Sequence, residues 1–217
     1  ILGRYEIAAE TFEELLERDP ARPLLRGLIF KLRLGTCDWS NYDATVEDLC
    51  KRVARGETVD TPFNFSWYNV SATAEARCTE INARHEWPPP KQLLPVCPPY
   101  HHDRIRLAYF SPDFREHPIS YLFAGLIERH DRTRFEVNAI SLGASDGSPL
   151  RAHLEKTFDN FYDVRHMPDR ELAEFIRRLE IDIVIDLAGF TTGNRGNVLA
   201  LRPAPVTVNF QGFGTGA

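Results

Sequence analysis

R-I-R-L-A-Y-F-S-P-D-F-R-E-H-P-I-S, residues 104–120, decides how the rest of the chain is read. Ile105, Leu107, Tyr109 and Phe110 form a short apolar run of β-favouring residues, which predicts a strand. Ser111-Pro112-Asp113 ends it, because proline restricts the residue before it and removes a ladder donor. Pro118 suits the first turn of a helix, where its missing N–H costs nothing. Ile119, Leu122, Phe123, Leu126 and Ile127 follow at helical spacing and are expected to face inward. The sum is strand, polar loop, helix: the opening half of a βαβ unit. Ligands of open α/β sheets bind at the carboxyl ends of the strands. The loop Asp113–His117 occupies such an end and carries two acids, a cation and a histidine.

The same alternation continues downstream. Phe135–Leu142 reads as a strand, Pro149–Thr157 as a helix, Asn160–Val164 as a strand and Pro168–Glu180 as a helix. Ile181–Leu187 is near-continuously apolar, as central parallel strands are. A helix near Gly196–Leu201 leads to a last strand, Val206–Phe210. These elements predict a doubly wound α/β domain over 104–217, with the Ile105 and Ile183 strands interior. The polar and glycine-rich segments then collect on one edge of the sheet.

Upstream the periodicity is helical. Residues 1–19 place Ala8, Phe12, Leu15 and Leu16 on one face and close at Asp19-Pro20. The pattern resembles the second helix of a tetratricopeptide repeat, which implies a repeat array before Ile1. Pro23–Leu34 is a second helix with Pro23 in its first turn and Leu24, Leu25, Leu28, Ile29 and Leu32 inward. Trp39 is expected to anchor packing, and Asp38 or Ser40 to cap a helix near Asp43–Arg55. Thr58–Val70 is aromatic and irregular, and Ser71 caps a helix over Ala72–Glu86. Residues 1–86 are thus a helical region. Residues 87–103 hold six of the fifteen prolines and read as a linker.

Bulk properties exclude several classes. The chain has 217 residues, 43% of them hydrophobic, and a net charge of −5. That supports a real core and gives no sign of a nucleic-acid or membrane partner. No apolar run approaches the ~20 residues of a membrane span. Cys37, Cys50, Cys78 and Cys97 lack disulfide-type or zinc-type spacing and read as reduced, buried thiols of a cytoplasmic protein. His101-His102 lacks further ligands at a useful spacing, so no metal is expected.

The candidate chemistry sits in the loops. His117 is the loop's candidate for a chemical role, since histidine is the residue type most often used for proton transfer. Gly189, Gly193, Gly212, Gly214 and Gly216 allow close backbone approach to a ligand or a neighbouring segment, whereas Gly143 and Gly147 read as plain turn residues. Asp186 ends a buried strand, where a carboxylate must cap a loop amide, meet a polar ligand, or do both. Asp182 shares its face but lies about 13 Å away, too far for joint chemistry on one bond. Arg195 and Arg202 suit either a phosphate or loop carbonyls.

Several of these segments, in one order, resemble the O-GlcNAc transferase/SPINDLY family of protein glycosyltransferases. They are S-P-D-F-R-E-H-P, R-F-E-V, the D-G-S turn at Asp146–Ser148, I-D-I-V-I-D-L-A-G-F-T and L-R-P-A-P-V-T-V-N-F-Q-G-F-G-T-G-A. The resemblance covers residues 104–217 well and the upstream part weakly, where Cys37-Asp38-Trp39 matches. It implies a Rossmann-like N-terminal half of a GT-B core, whose nucleotide-binding C-terminal catalytic half lies beyond Ala217. It implies inverting transfer of N-acetylglucosamine from UDP-GlcNAc, without a cofactor, to a Ser or Thr acceptor of an intracellular protein. SPINDLY-like members use GDP-fucose. His117 matches the family's active-site histidine, followed by Pro118. By the same resemblance Pro118, Tyr121, Asp186, Gly189, Thr191, Gly212 and Gly214 line the substrate site. Tyr121 stands where animal members have a second histidine, and Asp186 and Ala188 where they have asparagines. Two rival readings remain open: another GT-B or Rossmann-type small-molecule enzyme, and a non-catalytic repeat module.

Overall fold

The computed structural model describes residues 2–96 and 98–212. The described residues divide into two compact units, 2–88 and 89–212.

The first unit is helical: α1 Leu2–Arg18, α2 Leu25–Gly35, α3 Tyr42–Ala54, the single turn α4 Pro62–Phe65 running into a 3-10 turn at Ser66–Tyr68, and α5 Ala72–Glu86. Its core is Phe30, Leu49, Val53, Phe65, Tyr68, Cys78 and Ile81. Ser71 caps α5 by accepting from the Ala74 N–H, and Thr61 caps α4 in the same way from Asn64.

Three expectations fail here. α2 starts at Leu25, not at Pro23, because Leu24 is left-handed (φ 63°) and its N–H goes to Thr58 O at 2.8 Å. Trp39 is 58% exposed rather than an anchor, since Phe30, Tyr42, Tyr68 and Phe65 already close the cluster. Neither Asp38 nor Ser40 caps α3. Asn41 stands at that position without a side-chain bond, and Asp38 accepts from Ser40 instead. The thiols differ as well: Cys78 is buried, Cys50 half-buried and Cys37 exposed, while Cys97 lies outside the described residues.

The second unit is a five-stranded, all-parallel sheet in the order β3-β2-β1-β4-β5. Its strands are β1 Ile105–Ser111, β2 Phe135–Ser141, β3 Asn160–Asp163, β4 Ile183–Asp186 and β5 Val206–Asn209. Its helices are α6 Pro118–Glu128, α7 Pro149–Thr157, α8 Asp169–Arg178 and α9 Gly196–Ala200. β1 and β4 are interior, as their apolar character requires. Alternation along β1 sends Leu107 and Tyr109 to one face, with Phe123 and Ile127 of α6 and Leu154 of α7. Ala108 and Phe110 go to the other, with Leu172 and Ile176 of α8 and Val198 of α9. The sheet is therefore covered on both faces. Strand order reverses between β1 and β4, and that reversal opens a crevice at the strand ends.

Two details correct the sequence reading. Leu122 and Leu126 of α6 point outward, at 68% and 42% exposure. The inward stripe is half-buried Ile119 with buried Phe123 and Ile127, and each leucine lies one residue, about 100° of helix, away from it. Gly143 is a close-approach glycine rather than a turn glycine: a Cβ there would lie 2.0 Å from Pro112 O. The proline-rich stretch packs on this unit. Leu94 is buried in the core, and Arg170 and Arg177 donate to Gln92 O and Pro95 O.

Candidate functional site

At the end of β1, Ser111 Oγ accepts from the Asp113 N–H at 3.0 Å and starts a tight polar loop. Ser120, one turn into α6, donates to Asp113 O at 2.5 Å and accepts from the Arg115 N–H at 3.3 Å. Asp113 is buried, with Oδ1 bonded to Arg115 and Oδ2 3.7 Å from His117 Nδ1. His117 is the N-cap of α6: its Nδ1 accepts from the Ile119 N–H at 3.3 Å. With Nδ1 accepting, the neutral ring carries its proton on Nε2.

The loops after β4 and β5 form the facing wall. Asp186 lies beneath them, with Oδ1 accepting from the Ala188 N–H and Oδ2 from the Gly189 N–H and the Asn209 amide, all within 3.0 Å. Burial pushes its carboxyl above the usual range, against three donors that favour the ionised form. Gly189 and Gly212 have positive φ and interlock. The Phe190 N–H donates to Gly212 O, and a Cβ on Gly189 would sit 2.1 Å from that oxygen. Thr191 binds Ala188 O through both its N–H and its hydroxyl.

The two walls enclose a cleft of about 700 Å³. His117, Pro118, Thr191 and Gly212 line it together with Asp113, Arg115 and Asn209. Asp186 and Gly189 shape it from behind. Tyr121 stands apart, exposed on α6, with its hydroxyl donating to Glu116. Gly214 lies outside the described residues. Arg195 holds Asp169 and the carbonyls of Val164 and Met167, which spends it on loop structure. His102 pairs with Glu180, and no cluster of metal-ligating residues occurs among the described residues.

Sequence reasoning missed two supports of the His117 loop. Arg151 of α7 is buried, stacks on Phe161 at 4.3 Å, and donates to Phe114 O and Ser141 Oγ. Nothing in its helical spacing marks it out. Asp146, in the D-G-S turn, accepts from the Glu116 N–H at 2.8 Å and the Ser148 N–H at 3.0 Å. The Glu116 N–H is the main reason its carboxyl falls to about 2. A depressed carboxyl stabilises the fold above the unfolded value, near 3.9, and loses that contribution as pH falls towards 2. Asp146→Asn is therefore expected to flatten the acid limb of melting temperature against pH between about 4 and 2. An acid limb identical to wild type would mean that Asp146 does not clamp the two loops.

An open parallel sheet, covered on both faces and with a polar cleft at its strand-order reversal, defines a Rossmann-like half-domain of the GT-B type. The profile of glycosyl transferase family 41 matches residues 84–217, and the chain belongs to that family. The probable UDP-N-acetylglucosamine–peptide N-acetylglucosaminyltransferase SEC of Arabidopsis thaliana is 30% identical over 200 residues, which are 86% of this chain and 20% of that protein. The Caenorhabditis elegans UDP-N-acetylglucosamine–peptide N-acetylglucosaminyltransferase is 32% identical over 195 residues, 82% of this chain and 17% of that protein. Among solved structures, a mutant O-GlcNAc transferase of Thermobaculum terrenum matches at a TM-score of 0.64 and 26% identity, over 94% of this chain and 40% of its own. The chain thus spans about a fifth of the length of these curated relatives. No described helix is long and apolar enough to cross a membrane.

Proposed function

We propose that this chain is the acceptor-side half of an inverting protein O-glycosyltransferase that moves N-acetylglucosamine from UDP-GlcNAc to Ser or Thr hydroxyls of cytoplasmic proteins. The observation that carries the reading is the placement of His117, at the N-cap of α6 and on the wall of the cleft at the β1/β4 reversal, in a family-41 chain. Its relatives are named as GlcNAc transferases acting on peptides.

In this reaction the acceptor oxygen bonds the anomeric carbon as the bond to the diphosphate breaks. The hydroxyl proton passes to a base, and the diphosphate leaves with the electron pair. In the tautomer present, His117 Nε2–H is a donor that holds a sugar or acceptor oxygen in place. Proton abstraction by Nε2 needs the other tautomer, with Nδ1–H turned from the helix cap towards Asp113 Oδ2, now 3.7 Å away. Asp186 acts through the Ala188–Gly189 turn, which it holds against Gly212. No metal or prosthetic group has a part in this scheme.

The test is radiolabelled transfer by the intact protein to a Ser/Thr peptide, with UDP-GlcNAc and GDP-fucose offered separately. Transfer from UDP-GlcNAc is expected. Transfer from GDP-fucose alone would overturn the donor assignment, and transfer from neither would overturn the function.

A further inference from the structure

Arg115 differs from Arg151 and Arg195, the two arginines that brace loops of the sheet unit. Arg151 and Arg195 each bind a carboxylate and at least one backbone carbonyl with several guanidinium nitrogens. Arg115 uses one: Nη2 donates to Asp113 Oδ1 at 3.1 Å, while Nε and Nη1 have no hydrogen-bond partner among the described residues. Its side chain is 48% exposed, whereas that of the partner carboxylate is 5% exposed. The main chain at Arg115 is pinned by Asp113 O at 2.8 Å and Ser120 Oγ at 3.3 Å. One edge of the fork is thus tethered to a buried acid on a fixed loop, and the other edge is available at the cleft. Arg115 is also the one lysine or arginine among the described residues that line this cleft. The first turn of α6 opens on the same wall through Pro118 and Ile119 and adds the positive end of a helix dipole.

A guanidinium keeps its charge at any working pH and matches two oxygens of a carboxylate or phosphoryl group. We infer that Arg115 is a substrate-reading residue of this cleft, binding an oxyanion of a substrate beside His117. The inference rests on the proposed transferase reading and adds to it a specificity determinant. Two substrates carry that chemistry: the donor, through its diphosphate, and an acceptor peptide with an acidic residue near the modified hydroxyl.

The experiment compares wild type with Arg115→Gln in the intact protein. One arm titrates UDP-GlcNAc at a saturating neutral peptide. The other measures kcat/KM for two Ser/Thr peptides that differ only by Glu or Gln beside the acceptor. Losing a hydrogen bond to a charged group is expected to cost roughly 10-fold or more in KM, with kcat changing less. A raised donor KM identifies the diphosphate as the source of the oxyanion. Loss of a wild-type preference for the Glu peptide identifies the acceptor. Arg115→Lys keeps the charge without the fork and is expected to recover only part of the effect. If Arg115→Gln melts early, the Lys variant carries the same comparison. The inference is overturned if donor KM and the Glu/Gln ratio both stay within about twofold of wild type while transfer proceeds, a result that leaves the proposed function standing. If wild type transfers no N-acetylglucosamine at all, the proposed function fails first and the inference with it.

Discussion

Replacing His117 by asparagine is expected to lower sugar transfer by at least ~10²-fold while the melting temperature stays close to wild type. The structure gives this side chain two separable jobs. Its Nδ1 caps α6 through the Ile119 N–H, and the residue lines the cleft. Asparagine is among the best N-cap residues, so it keeps the first job and abolishes the second. Alanine removes both. For His117→Ala the lost cap adds about 1 kcal/mol of destabilisation, or roughly 2–4 °C in a chain of this size. The sequence alone, which shows a loop histidine and no cap, predicts almost no change in melting. The measurement is initial rate beside thermal unfolding for both variants. Transfer near the wild-type rate by His117→Asn would remove His117 from the site. Equal loss of melting temperature in both variants would show that the cap is not the histidine's structural role.

Gly189→Ala is expected to lower stability strongly. The residue has φ +50°, which already disfavours an L side chain, and the added Cβ would lie 2.1 Å from Gly212 O, a backbone atom that cannot rotate away. Relief requires the β4 and β5 loops to separate. That breaks the bond from Phe190 N–H to Gly212 O and disturbs the Asp186 bonds to Gly189 and Asn209. Strain and lost hydrogen bonds together come to about 3 kcal/mol or more, a fall of roughly 6–12 °C. The far wall of the cleft moves with it, so transfer is expected to fall at temperatures where the variant is still folded. A melting temperature within ~2 °C of wild type would mean that the two loops do not interlock in solution. Gly147→Ala is the control: its φ is also positive, but nothing lies within 4 Å of the added Cβ, so only the smaller conformational cost remains.

Much of the sheet unit was legible in the sequence. The Ile105 and Ile183 runs are apolar on both faces, and both strands proved interior. Pro118 at the head of α6, the helix Pro149–Thr157 and the Ser71 cap follow from backbone chemistry that acts within a few residues. The helical unit was read less well. The sequence says that Leu24 and Trp39 are apolar, but not which neighbours have already filled the core. Leu24 turned left-handed because its N–H found Thr58 O, 34 residues on.

The site divides along the same line. Local chemistry, acting over a few neighbouring residues, determined the parallel sheet, the collection of polar and glycine-rich loops at one edge, and His117 at the mouth of a helix. Tertiary structure alone decided what those residues do for one another. It turned Gly143 from a turn residue into a contact with Pro112, placed Tyr121 outside the cleft, and spent Asp186 and Arg195 on loop amides and carbonyls. It also set Arg151 and Asp146 under the His117 loop and left half of the Arg115 fork unused. The physical reason is range: strand and helix preferences are summed over neighbours in sequence. Hydrogen-bond partners and close backbone approaches are instead set by segments that meet only once the sheet has assembled.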